Sequence, residues 1–144
     1  MKKIEIKNSN SFDFHDCPIH GINFEYEQYI SNIILDIDTM KLININKPIF
    51  SIFPSKLIFK QVSNFFINLD RESDDEFSVI VSPVFMLSMK ITKFSKNKLL
   101  IDIQCTDGEL SFYVESCELH VSDNSIDSNE IYLKTKMRIK TKGV

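Results

Sequence analysis

Residues 97–123, NKLLIDIQCTDGELSFYVESCELHVSD, constrain the chain more than any other stretch. Two runs of alternating apolar and polar residues flank Asp107-Gly108, a pair suited to a two-residue type I′ turn because both positions need positive φ. Closing a hairpin on that turn pairs Thr106 with Glu109, and hence Cys105 with Leu110, Ile103 with Phe112 and Ile101 with Val114. All six apolar side chains then share one face, while Gln104–Ser111 and Asp102–Tyr113 fall on the other. A slip of one residue would mix the faces. Beyond Val114 the apolar phase moves from even to odd positions, at Cys117, Leu119 and Val121, which predicts a β-bulge near Glu115-Ser116.

The rest of the chain can supply the strands that such a hairpin needs. There are 12 Phe and 21 Ile but no Ala, so the strongest helix former is missing while residues that suit pleated surfaces abound. Residues 2–7 read as a short strand or ordered arm, and 22–28 and 32–39 as half-buried strands, with a bend or bulge after Met40. Residues 56–61 and 64–70 read as two strands or one interrupted strand, and Pro54 predicts an edge or a strand start. Strands at 77–81, 84–94 and 131–139 complete the set; in 84–94, Phe85, Leu87, Met89 and Ile91 share the apolar phase. Residues 1–144 are therefore expected to form a single all-β domain. Its architecture should be mainly antiparallel, a curved two-layer sandwich or partly open barrel of about eight to ten strands.

Charge and cysteine usage narrow the function classes. A net charge of −3 argues against a whole-domain nucleic-acid footprint. The lysine row at 134, 136 and 140 with Arg138 is expected to guard a sheet edge rather than follow phosphates. The N-terminus lacks the apolar run of a signal peptide, and no window is long and apolar enough to span a membrane. Cys17, Cys105 and Cys117 are an odd set that suits buried thiols in a reducing compartment, so a cytoplasmic location is expected. DRESDDE at 70–76 lacks the spaced carboxylates and glycine of a calcium loop, and no glycine-rich phosphate loop occurs. No cofactor is expected.

Reactive side chains concentrate in Phe14-His15-Asp16-Cys17-Pro18-Ile19-His20. Imidazole, carboxylate and thiolate can all ligate zinc, but no second cluster completes a four-ligand set, and His120 is expected at the surface. A Cys17 nucleophile with His15 or His20 as base would need an orienting residue and an oxyanion hole that nothing nearby supplies. The structural account has Asp16 capping a turn anchored by Phe14 and Ile19, with Gly21 permitting a sharp re-entry. Asp36 and Asp38 stand on one strand face about 7 Å apart by strand rise, a spacing open to a carboxylate pair but typical of a solvated face.

The segment FHDCPIHGINFEYEQYISNIILDIDTM resembles the opening of small bacterial β proteins in which an F-H-D-x-x-I motif precedes a strand pair ending in an L-D-I-D-like run. Similar openings occur in proteins that resemble polymorphic-toxin immunity proteins. The matching pieces here are Phe14-His15-Asp16, Ile19 and Leu35-Asp36-Ile37-Asp38. The resemblance implies an intracellular, non-catalytic β domain that binds another protein, and it transfers no catalytic residue. The expected function is thus an interaction domain, in its specific form an immunity protein that occludes the active site of a basic toxin. His15, Asp16, His20, Asp36 and Asp38 are the candidate contact residues. The alternative is a small enzyme or a metal- or ligand-binding domain centred on His15, Asp16, Cys17 and His20.

Overall fold

The computed structural model describes residues 1–69 and 84–130. The strands predicted at 77–81 and 131–139, the charged loop 70–76 and the basic row 134–140 lie outside the described residues. The described chain forms β1 (Lys2–Glu5), β2 (Pro18–Glu27), β3 (Ile30–Asn44), β4 (Ile49–Lys60), β5 (Ser63–Leu69), β6 (Val84–Ser95), β7 (Lys98–Cys105), β8 (Gly108–Val114), β9 (Ser116–Val121) and β10 (Ile126–Ser128). They join in one sheet of order β1-β9-β4-β3-β2-β6-β7-β8-β5, with β10 also on β4. Every pairing among the described residues is antiparallel. The sheet is curved and open rather than closed into a barrel. No helix among the described residues is long and apolar enough to cross a membrane.

The curvature folds one half of the sheet, β1-β9-β4-β3-β2, over the other, β6-β7-β8-β5. Phe59 on β4 and Phe112 on β8 meet edge to face at 4.7 Å between ring centroids, and Phe112 also lies 5.7 Å from Phe65 on β5. Ile33, Leu35 and Ile37 from one half and Ile101, Ile103 and Leu110 from the other fill the space around them. Among the described residues the chain crosses between the halves at two places, side by side. From β4 to β5 it turns at Gln61, with φ 56°, and from β8 to β9 at Glu115, whose N–H donates to the Lys60 carbonyl at 3.0 Å. The change of apolar phase after Val114 is this second crossing and not a bulge: Val114 belongs to a strand of one half and Cys117 to a strand of the other.

Faces follow the sequence pattern more closely than registers do. All six apolar residues of the β7–β8 hairpin are buried, but Cys105 pairs with Gly108, Ile103 with Leu110 and Ile101 with Phe112. The register is two residues away from the expected one, so the polar pairs become Gln104–Glu109 and Asp102–Ser111, each hydrogen-bonded. The turn is Thr106-Asp107, neither of which has positive φ, and Gly108 takes φ 149° as the strand resumes. A shift by two leaves every side chain on its face, so alternation alone cannot detect it. In β6 a register shift between Met86 and Ser88 ejects Leu87 and brings Met86 into the core, contrary to the regular phase expected for 84–94. Pro54 lies mid-strand in β4 and not at an edge. Residues before it pair with β10 and residues after it with β9, so its missing N–H falls where the neighbouring strand changes.

Candidate functional site

The FHDCPIH segment forms the seam between the two halves. Asp16 N–H donates to the Met86 carbonyl and Met86 N–H to the Cys17 carbonyl, both at 2.8 Å. Pro18 and Ile19 then pair with Phe85 and Val84 of β6, so β2 begins at Pro18, earlier than the alternation suggests. Upstream, the Ser9 hydroxyl accepts from Ile91 N–H at 2.9 Å, laying residues 9–19 along the edge of β6. Phe14 and Cys17 are buried beneath this seam. A turn closes where Cys17 N–H donates to the Phe14 carbonyl, with Asp16 held at φ 65°, a left-handed conformation that Asp tolerates better than most residues. Asp13, not Asp16, caps it, accepting from His15 N–H at 3.0 Å. Gly21 permits no re-entry; it pairs with Asp36 within the sheet, and a Cβ there would meet Asp36 Cβ at an ordinary 3.9 Å.

The candidate residues separate into two pairs. His15 Nδ1 lies 3.1 Å from Asp16 Oδ2, both well exposed. His20, in the bulge between Ile19 and Gly21, turns instead to β3, where its Nε2 is hydrogen-bonded to Asp38 Oδ2 at 2.9 Å. Asp38 is only 1% exposed, which overturns the solvated face expected for Asp36 and Asp38 and leaves Asp38 no surface to offer a partner. Asp36 is half-buried opposite Lys56. On the same face His120 is largely buried and hydrogen-bonded at 2.9 Å to Glu118, which also accepts from Lys60 Nζ at 2.9 Å. Among the described residues no group of three or more His, Cys, Asp or Glu side chains is placed to hold a metal ion.

The thiols and carboxylates of this region have directions set by their surroundings. Burial, then Asp13 and Asp16, pushes the Cys17 thiol up to about 12; burial, then Asp107, raises Cys105 to about 11, and burial raises Cys117 further still. A nucleophile needs the thiolate, so Cys17 is poorly suited to the role. In the folded protein all three cysteines should react slowly with a chromogenic disulfide reagent at neutral pH, and all three rapidly once unfolded in denaturant. A native thiol that reacts at the unfolded rate would contradict the assignment.

Glu118 moves the other way: hydrogen bonds from His120 and then Lys60 hold its carboxyl below its ordinary 4.5. A carboxylate depressed on folding stabilises the fold above its unfolded pKa and loses that contribution as pH falls through the folded value. Replacing Glu118 by Gln should therefore lower the urea midpoint at neutral pH, with the difference from wild type shrinking below about pH 4.5. An equal deficit at neutral and strongly acidic pH would point to lost packing instead.

A further surface was not singled out by the sequence. Ile22, Phe24 and Tyr26 continue the apolar face of β2 that opposes Leu35, Ile33 and Ser31 on β3, but Phe24 is 46% and Tyr26 74% exposed. Phe24 packs edge to face on Phe65 of β5 at 5.4 Å, bridging the two halves, and Ile67, next on that face of β5, is 42% exposed. The inner face of the folded sheet thus runs past the end of its core and opens as an apolar mouth. Glu25 and Glu27 alternate with these aromatic residues along β2 and are exposed on its opposite face. Alternation placed Phe24 and Tyr26 on the correct face but carries no information about where the opposing half ends. No family model matches the chain, and no curated protein or solved structure matches it.

Proposed function

We propose that the chain is a non-catalytic protein-binding domain whose contact surface is the apolar mouth formed by Phe24, Tyr26, Phe65 and Ile67. The observation that carries this reading is that contiguous inner-face side chains lie exposed at one end of the fold. Clustered exposed apolar surface favours association, and aromatic side chains are the commonest anchors of protein interfaces. The net charge of −3 favours a basic partner. In its specific form, which the resemblance of the F-H-D-x-x-I opening motivates, the domain is a cytoplasmic immunity protein that covers the active cleft of a basic toxin. The rival reading, chemistry at His15, Asp16, Cys17 and His20, is less supported: His20 is engaged with buried Asp38, and the Cys17 thiol is held protonated.

The test is titration of the purified domain with the toxin it protects against, by calorimetry. Tyr26→Ala should weaken binding at least about 30-fold, the effect of losing one aromatic anchor, with the unfolding midpoint unchanged. Asp16→Ala should leave affinity unchanged. The opposite ranking of the two variants would transfer the contact surface to the seam.

A further inference from the structure

A second feature shares no residue with the apolar mouth and is independent of it. Where the chain leaves β1 it runs beside the turn between β6 and β7, and the two enclose a hollow of about 220 Å³. Lys7 lines it from the first segment and Lys93, Lys96 and Lys98 from the second, and Glu5 and Glu115 are also in its lining. Its floor is apolar, made by buried Ile6 and Cys117. Lys7 lies 3.7 Å from Glu5. Among the described residues Lys93, Lys96 and Lys98 have no carboxylate within ion-pair distance. Four ammonium groups against two carboxylates therefore concentrate positive charge in one recess of a chain whose net charge is −3.

Such a concentration raises the free energy of the empty site through mutual repulsion, and a multivalent anion relieves it. The apolar floor keeps high-dielectric solvent away from one side and strengthens the field in the recess. Lysines are mobile point charges that can converge on a compact anion from several directions. Two features favour a compact group over an extended nucleic-acid strand. Glu5 and Glu115 line the same hollow, so carboxylates interrupt its basic lining and would repel an extended polyanion laid along it. The nearby aromatic residue, Phe94, is not in the hollow but packs on Tyr113 at 4.9 Å, so no stacking platform accompanies the lysines there. The geometry points to a binding site for a terminal phosphate or pyrophosphate group, carried either by a small metabolite or by the end of a nucleic-acid chain.

The experiment is a titration of the full chain with inorganic pyrophosphate at low salt, followed by amide NMR shifts and compared with chloride at matched ionic strength. Saturable shifts confined to residues 5–7, 93–99 and 115–117 are expected, weakened at least about tenfold in a Lys96→Gln/Lys98→Gln variant whose spectrum is otherwise native. Shifts that do not saturate, that chloride reproduces, or that survive the double substitution would overturn the proposal. A second arm compares a short oligonucleotide with and without a 5′-phosphate. Binding of the phosphorylated form alone assigns the nucleic-acid source; binding of neither, with pyrophosphate still bound, assigns the small-molecule source. Equal binding of both would overturn the compact-phosphate site in favour of backbone contacts.

Discussion

Replacing Phe112 by alanine is expected to cost about 3–5 kcal/mol, the usual range for deleting a fully buried phenyl group. Phe112 is 0% exposed and stands where the two halves of the sheet press together, edge to face on Phe59 and tilted against Phe65. The substitution removes the transfer free energy of the ring, leaves a cavity that the flanking strands cannot collapse, and breaks both aromatic contacts. A domain of this size is stable by only about 5–15 kcal/mol, so the loss is a large part of the whole. Urea unfolding should show a much lower midpoint with little change in slope. Phe94→Ala is the control, because that ring also makes an edge-to-face contact but is 64% exposed. It should cost less than about 1 kcal/mol. Equal losses would mean that the core is not organised around Phe112.

The second large effect is expected at His20. Its imidazole is hydrogen-bonded to an Asp38 side chain that is 0% exposed. Replacing His20 by leucine takes this partner from a buried carboxylate, a change that costs about 3–5 kcal/mol where a buried pair is broken from one side. The double variant His20→Leu/Asp38→Leu should recover most of that loss, because two apolar side chains leave no stranded charge. Urea unfolding of both single variants and the double variant measures the coupling between the residues. Additive losses would show that the pair is not a unit. The result also bears on function, since a pair needed mainly for stability leaves the seam a structural feature.

Local alternation made the strands and most of their faces legible. Ile101, Ile103, Leu110 and Phe112 are buried as expected, and β6 lies close to its predicted limits, whereas β3 runs from Ile30 to Asn44, well past the expected end at Thr39. What it could not supply was relations between distant segments. The hairpin register differs by two because a period-two pattern is unchanged by that shift. FHDCPIH looked like an isolated reactive turn, since its partner, the edge of β6 at Met86, is far away in sequence. Asp38 looked solvated because its neighbours on the strand alternate, whereas its imidazole partner comes from the bulge in β2, 18 residues earlier. Of the candidate site, the sequence therefore identified His20 and Asp38 individually but not as a pair. It placed Phe24 and Tyr26 on the inner face without showing that this face emerges from the core.

The proposal that the apolar mouth, and not the FHDCPIH seam, meets a partner is tested most directly by photo-cross-linking in living cells. A photoreactive phenylalanine analogue would be placed at position 26 in one variant and at position 16 in another, both positions being solvent-accessible. A discrete adduct of one protein is expected from position 26, lost when Phe24→Ala is added to a variant that remains folded, and no such adduct from position 16. An adduct formed from position 16 and absent at 26 would place the contact surface at the seam instead.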